Sequence, residues 1–240
     1  MQPTYMNCIA ELGVGGAHPG GLKLTKEVLK KEKIVASTKL LDAGCGTGQT
    51  AAYIANKYGC QVTALDYNTV VLEKAKARFR SMKLPVHVHA KRGNIEDLDF
   101  ADNSFHIVLS ESVLGFTDAD KSISECSRIL KEPGTLLAIE MVLEDSISDV
   151  DNLSEITHFY GIPHLKTTEE WINMYRNAGF KHIQVDKYKP NLESHNLENS
   201  PDFSLSDEID DQLFDVLRKH HYYMKKYDNI LGFRIFYCNK

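Results

Sequence analysis

Residues 40–48 read Leu40-Leu41-Asp42-Ala43-Gly44-Cys45-Gly46-Thr47-Gly48. A short apolar run ends in an acid and passes into glycines at alternate positions, and residues 50–58 beyond them have helical character. Strand, glycine turn, helix is the opening unit of a nucleotide-binding α/β fold. Glycine lets the backbone turn tightly and meet a ligand where a Cβ would clash. The helix that follows offers unpaired N–H groups. The spacing here is G-x-G-x-G, whereas a pyrophosphate loop requires G-x-G-x-x-G with no anion beside it. Asp42 at the strand end instead suits a cationic ligand.

Outward from this loop, β-rich and helix-periodic segments alternate. Residues 39–43, 61–65, 86–90, 105–110 and 135–142 read as strands, and 69–82 and 121–130 as helices, with Pro133-Gly134 as a turn. That order predicts a doubly wound, mostly parallel sheet covered on both faces. A helix over 22–33 precedes it. Beyond 142 the alternation loosens: 144–165 is acidic and partly helical, 168–178 is a helix capped by Thr167 or Thr168 and stopped by Gly179, and 182–188 is a strand. A polar stretch then leads to a long helix over 206–227, with Ser206 as its cap, and to a final strand over 230–238. The reading is one domain over 1–240, with a core at about 34–143 and cap segments at about 144–166 and 190–227.

The 240 residues carry a formal charge of -5, 42% hydrophobic and 25% charged residues. This is an ordinary globular balance. The densest basic stretch, 219–226, is interleaved with His and Tyr and reads as a solvated helix face, so a nucleic-acid partner is not expected. Five scattered cysteines with no CxxC pair give no metal site and imply a reducing, cytoplasmic setting. Residues 1–16 lack the pattern of a signal peptide, and no apolar run approaches membrane-spanning length.

A second acid, Asp66, closes the strand-like Val62-Thr63-Ala64-Leu65 about 20 residues past the glycines, where an acid accepts from ribose hydroxyls. S-adenosylmethionine offers a ribose together with a sulfonium and an α-amino group. At this point the chain resembles the class I S-adenosylmethionine-dependent methyltransferases, in particular the small-molecule branch of the ubiquinone/menaquinone-biosynthesis type. The resemblance runs over about residues 40–142. It implies a seven-stranded Rossmann-like sheet whose last strand is antiparallel. It places Asp42, Gly44, Cys45, Gly46 and Gly48 around the methionine part of the cofactor, Asp66 on the ribose and Tyr67 against the adenine. A third family block, G-D-A-x-x-L-P-F-x-D-x-S-F-D, is matched by Gly93-Asn94-Ile95-Glu96-Asp97-Leu98-Asp99-Phe100-Ala101-Asp102-Asn103-Ser104-Phe105-His106. Asn94 replaces the usual Asp, and its side-chain oxygen still accepts from the adenine amino group; Ile95 stands beside it. Ser127-Arg128-Ile129-Leu130-Lys131-Glu132-Pro133-Gly134 resembles the family's R-x-L-K-P-G-G turn.

Several candidates keep two readings. Cys45 is a nucleophile, or merely a small residue where backbone meets ligand. Asp66 binds ribose or caps a helix. The loop 15–21, Gly-Gly-Ala-His-Pro-Gly-Gly, either closes over the cofactor with His18 or is a mobile lead-in. Ser110 and Glu111 end the fourth strand, where open sheets place ligand contacts, with Glu111 a substrate ligand, a base or a solvated acid. Tyr160 and Tyr223 stand in the cap segments as candidates for a small-molecule methyl acceptor. A non-catalytic cofactor-binding regulator and a dinucleotide oxidoreductase are the alternatives. No general base, acceptor atom or oligomeric state follows from the sequence.

Overall fold

The computed structural model describes residues 3–82, 87–144, 153–188, 202–207 and 209–240. Seven strands form one sheet: β1 (Lys39–Ala43), β2 (Gln61–Asp66), β3 (Val88–Arg92), β4 (Phe105–Glu111), β5 (Leu130–Leu143), β6 (His182–Tyr188) and β7 (Leu231–Asn239), in the order β3-β2-β1-β4-β5-β7-β6. β1 to β5 pair in parallel, and β7 lies antiparallel between β5 and β6. The antiparallel last strand and the count of seven agree with the sequence reading. An all-parallel six-stranded dinucleotide sheet is excluded.

Successive strand side chains point to opposite faces, and both faces are buried, hence the near-continuous apolar runs. Leu40, Val62, Ile107, Leu109, Leu137 and Ile235 pack under α2 (Gly21–Leu29), α3 (Gln49–Tyr58) and α4 (Thr69–Arg80). Leu41, Val108, Leu136, Ala138 and Phe236 face α5 (Ala119–Ile129) and α7 (Thr168–Asn177), whose Trp171 and Tyr175 are almost fully buried. Thr167 caps α7 in a reciprocal capping box with Glu170.

Three sequence expectations need correction. Pro133-Gly134 does not separate two elements. β5 starts at Leu130, and the register step from Phe105↔Leu130 to Ile107↔Thr135 absorbs the extra residues as an irregularity in the strand. Ser206 does not cap the long helix. Its N–H donates to the Glu11 carbonyl, Ser204 N–H to that of Gly13, and Gly15 N–H to that of Asp202, so 202–206 runs along the N-terminal segment. The helix, α8, spans Gln212–Lys226 instead. The third strand lies at Val88–Arg92, two residues later than read, because pairing with β2 sets its frame. A part of each cap segment, 145–152 and 189–201, lies outside the described residues.

An N-terminal helix, α1 (Tyr5–Leu12), was not foreseen. Its C-terminal carbonyls at Ala10 and Glu11 accept from Lys74 Nζ of α4 at 2.9 and 2.8 Å. Cys8 and Leu12 pack on Leu213 and Val216 of α8. With α6 (Leu153–Tyr160), α1 and α8 enclose a second apolar cluster around Ile156, Tyr160 and Tyr227.

Candidate functional site

The strand order reverses between β1 and β4. In open α/β sheets the ligand crevice lies outside the carboxyl ends of the strands at that point. A cavity of about 960 Å³ opens there, running from the glycine loop to the layer of α1, α6 and α8.

The loop owes its path to its glycines. Gly44, Gly46 and Gly48 have φ of +87°, +52° and +75°, a region closed to most side chains. A Cβ on Gly44 would come within 2.3 Å of Val113, and one on Gly48 within 2.7 Å of Phe79. A Cβ on Gly46 would meet nothing within 4 Å, and Gly46 lines the cavity. Gly46 therefore leaves space for a ligand. Gly48 does not line the cavity and serves close packing of α3 on α4.

Three acids gather around the loop. Asp42 is 2% exposed, and its Oδ2 has no partner among the described residues. Burial, with Glu111 and Asp66 nearby, holds its carboxyl well above the usual range. Such a group is unfavourable alone and favourable beside a cation. Asp66 does not cap α4, a task that falls to Asn68. Its Oδ2 accepts from Gly46 N–H and its Oδ1 from Asn68 N–H, both at 2.9 Å, so it ties the loop to β2. Burial raises its carboxyl despite these donors.

Glu111 is a buried junction, not a solvated acid. Oε1 accepts from Thr25 Oγ1 at 2.6 Å and Oε2 from Thr50 Oγ1 at 2.9 Å, while His18 Nε2 lies 3.3 Å from Oε2. The two residues singled out separately in sequence thus meet. His18 and Glu111 fasten the 15–21 loop and α2 to the start of α3 and the end of β4.

Asn94, Ile95 and Tyr67 line the cavity on the side of β2 and β3. Asn94 Oδ1 accepts from Glu96 N–H at 3.0 Å, which shapes its loop. Tyr67 is 68% exposed, its ring facing Arg92. The Cys45 thiol donates to Gly46 O, and burial pushes its pKa well up, so it is not an activated nucleophile. Ser110 is fully buried and does not line the cavity. Tyr160 lines it, with its hydroxyl on His220 Nδ1 at 2.8 Å. Tyr223 does not; its hydroxyl donates to Glu155 at 3.0 Å.

Two lining residues were missed. Glu140 in β5 accepts from Val113, Leu114 and Gly115 N–H at 3.2, 3.0 and 3.2 Å, and burial pushes its carboxyl up to about 7. It holds the 3₁₀ turn Leu114–Phe116 over the cavity. His220 falls in the stretch 219–226 that reads as a solvated helix face, yet it lines the cavity. An acid within an apolar strand was the signal for the first; nothing local marked the second.

The orphaned Asp42 oxygen and the open face of Gly46 fit a cation-bearing nucleoside such as S-adenosylmethionine. The description "Methyltransferase domain" fits residues 41–138. An uncharacterised methyltransferase, YodH, of Bacillus subtilis (strain 168) is 37% identical over 236 residues, 98% of this chain and 99% of that protein. An O-methyltransferase, resE, of Aspergillus sclerotiorum is 29% identical over 172 residues, covering 71% of this chain and 65% of that one. Among solved structures, phosphoethanolamine N-methyltransferase 2 of Haemonchus contortus with S-adenosyl-L-methionine aligns with a TM-score of 0.81 at 23% identity, over 100% of this chain and 58% of that one. The glycine loop and its acids, in this sheet order and with these relatives, identify the chain as a member of the S-adenosylmethionine-dependent methyltransferase family.

Proposed function

We propose that the cavity holds cofactor and acceptor end to end. The cofactor's methionine part lies at Asp42 and Gly44 to Gly46, its ribose at Asp66, and its adenine between Tyr67 and Asn94-Ile95. The acceptor occupies the half walled by Tyr5, Phe116, Met141, Tyr160, Leu217 and Met224, all lining residues. The observation that carries this is the contrast within one cavity. Three carboxylates crowd one end, and aromatic and thioether side chains wall the other. About 960 Å³ is at the upper end of the volume of ligand pockets. The acceptor is a small molecule with a largely apolar body.

S-adenosylmethionine supplies a methyl group already activated by its positive sulfur. The protein's share is alignment and exclusion of water. His18 and Glu111 hold the N-terminal segment across the cofactor end, and Glu140 holds the turn between the two halves. Five buried, unpaired cysteines support a reducing, cytoplasmic setting. Among the described residues no helix is long and apolar enough to cross a membrane.

The test is methyl transfer from methyl-labelled S-adenosylmethionine to small molecules of a host-cell extract, read as label in extractable product and as S-adenosylhomocysteine. A Leu217→Trp variant, which fills the apolar half, is expected to keep cofactor affinity and lose transfer. Unchanged transfer by that variant refutes the placement of the acceptor; cofactor binding without transfer favours a regulator.

A further inference from the structure

His220 is the one imidazole of the cavity that the structure holds in a stacked, hydrogen-bonded position with a free ring edge. Tyr5 of α1 stacks on its ring, with centroids 5.1 Å apart and planes at 30°. Tyr160 of α6 meets the Tyr5 ring edge-on at 4.8 Å and puts its hydroxyl on His220 Nδ1 at 2.8 Å. Three helices thus fix one imidazole. Nε2 has no partner among the described residues, and His220, Tyr160 and Tyr5 all line the cavity. A ring nitrogen left free beside an apolar ligand space is placed to meet the one polar group of that ligand.

Of the other charged groups nearby four are engaged elsewhere, and His221, which also lines the cavity, is exposed to solvent. His164 faces Glu170 at 3.5 Å. Lys166 Nζ donates to the His164 carbonyl and lies over the Trp171 ring. Glu155 is taken by Tyr223, Lys226 and Tyr227. Glu140 is bound by three backbone amides. Burial, and after it neighbouring His221, holds His220 neutral, with its pKa down to about 4. A fixed neutral imidazole among rings matches an uncharged hydroxyl better than a carboxylate, a phosphate or an ammonium group.

We propose that His220 Nε2 is the base that takes the proton of a hydroxyl group on an aromatic acceptor, with Tyr160 as the positioning residue that sets the ring's tautomer. This rests on the placement of the acceptor in the apolar half. In this tautomer Nδ1–H donates to the Tyr160 hydroxyl, 2.8 Å away, and Nε2 is left bare. The acceptor oxygen forms the new bond to the methyl carbon, the carbon–sulfur pair stays with sulfur as a neutral thioether, and the O–H proton passes to Nε2. A weak base suffices, because a hydroxyl proton becomes strongly acidic once its oxygen gains a third bond. The imidazolium then gives its proton to water when the product leaves.

The probe is 2-naphthol, with 2-naphthylamine as its counterpart, added to enzyme with cofactor. Nitrogen-15 spectra of the enzyme with S-adenosylhomocysteine, assigned by His220→Asn, are expected to show a neutral His220 protonated at Nδ1 only. Tyr160→Phe is expected to mix the tautomers. His220→Asn is expected to lower kcat for 2-naphthol by about 10²- to 10⁴-fold, with KM and S-adenosylhomocysteine affinity within about threefold of wild type. A proton on Nε2 at pH 7, no methylation of 2-naphthol, methylation of 2-naphthylamine alone, or an unchanged kcat in His220→Asn overturns the proposal. Calorimetry of 2-naphthol separates the two levels. Binding that survives Leu217→Trp sinks the acceptor placement itself. Binding that is lost there, with His220→Asn fully active, sinks only the base.

Discussion

Replacing Asp42 by Asn is expected to move stability and affinity in opposite directions. Asp42 is 2% exposed with an unpartnered Oδ2, and desolvation, then Glu111, then Asp66 raise its carboxyl. An acid whose folded-state pKa is raised costs stability above its unfolded value of about 3.9, and the cost grows as pH rises from there toward the folded value. The amide removes that cost. Relief of a buried, unpaired polar group is worth about 1–3 kcal/mol. For a chain of this size each kcal/mol moves Tm by about 2–4 °C. Because the amide keeps a polar atom in the same place, the lower half applies, a rise of about 2–8 °C without ligand at pH 7 and a smaller one at pH 4. The same carboxylate is assigned to the cofactor's cationic end, and a hydrogen bond to a charged group contributes about 1.5–3 kcal/mol. S-adenosylmethionine should therefore bind about 10- to 150-fold more weakly. Melting curves with and without the cofactor read both effects: the variant melts above wild type alone and gains less from the ligand. A variant that melts no higher when ligand-free, or that binds the cofactor as wild type does, refutes the reasoning.

Gly44→Ala combines φ of +87° with a Cβ 2.3 Å from Val113, and should cost on the order of 1–3 kcal/mol in denaturant unfolding and weaken cofactor binding. His220 stays neutral in the fold down to about pH 4 while its unfolded pKa is about 6.5, so its contribution is lost as pH falls through that window. His220→Phe should flatten the stability–pH curve between pH 6.5 and 4 by about 3 kcal/mol, measured by urea unfolding at each pH. Glu140→Ala leaves the amides of Val113, Leu114 and Gly115 unpaired, and should speed their hydrogen exchange and lower transfer more than it lowers cofactor affinity. Trp171→Ala empties a buried site that stacks on Tyr175, at a cost of about 3–5 kcal/mol in urea.

The sheet was legible because its code is local. Each buried strand is an apolar run, each helix has its own face, and the Gly44–Gly48 turn announces the loop between them. The residues proposed for the cofactor were legible for the same reason, since Asp42 and Asp66 lie at strand ends and Gly46 in the loop that follows β1. Gly48 and Ser110 were misplaced because adjacency in sequence is not adjacency to the cavity: one packs on Phe79, the other points into the core. The half proposed for the acceptor was largely illegible. Tyr5, Tyr160 and His220 come from helices 155 and 60 residues apart, and only packing of α1 on α6 and α8 brings them together. The start of α8 was missed because 202–206 satisfies its backbone against α1, a tertiary choice that no cap residue reveals.

The central claim is that the carboxylate-lined glycine loop takes a sulfonium nucleoside and not a dinucleotide. Calorimetric titration of the purified chain with S-adenosylmethionine, and separately with NAD, tests it most directly. One S-adenosylmethionine per chain, bound with a measurable heat and weakened by Asp42→Asn, with no heat from NAD, is the expected result. Binding of NAD with none of S-adenosylmethionine would contradict the account.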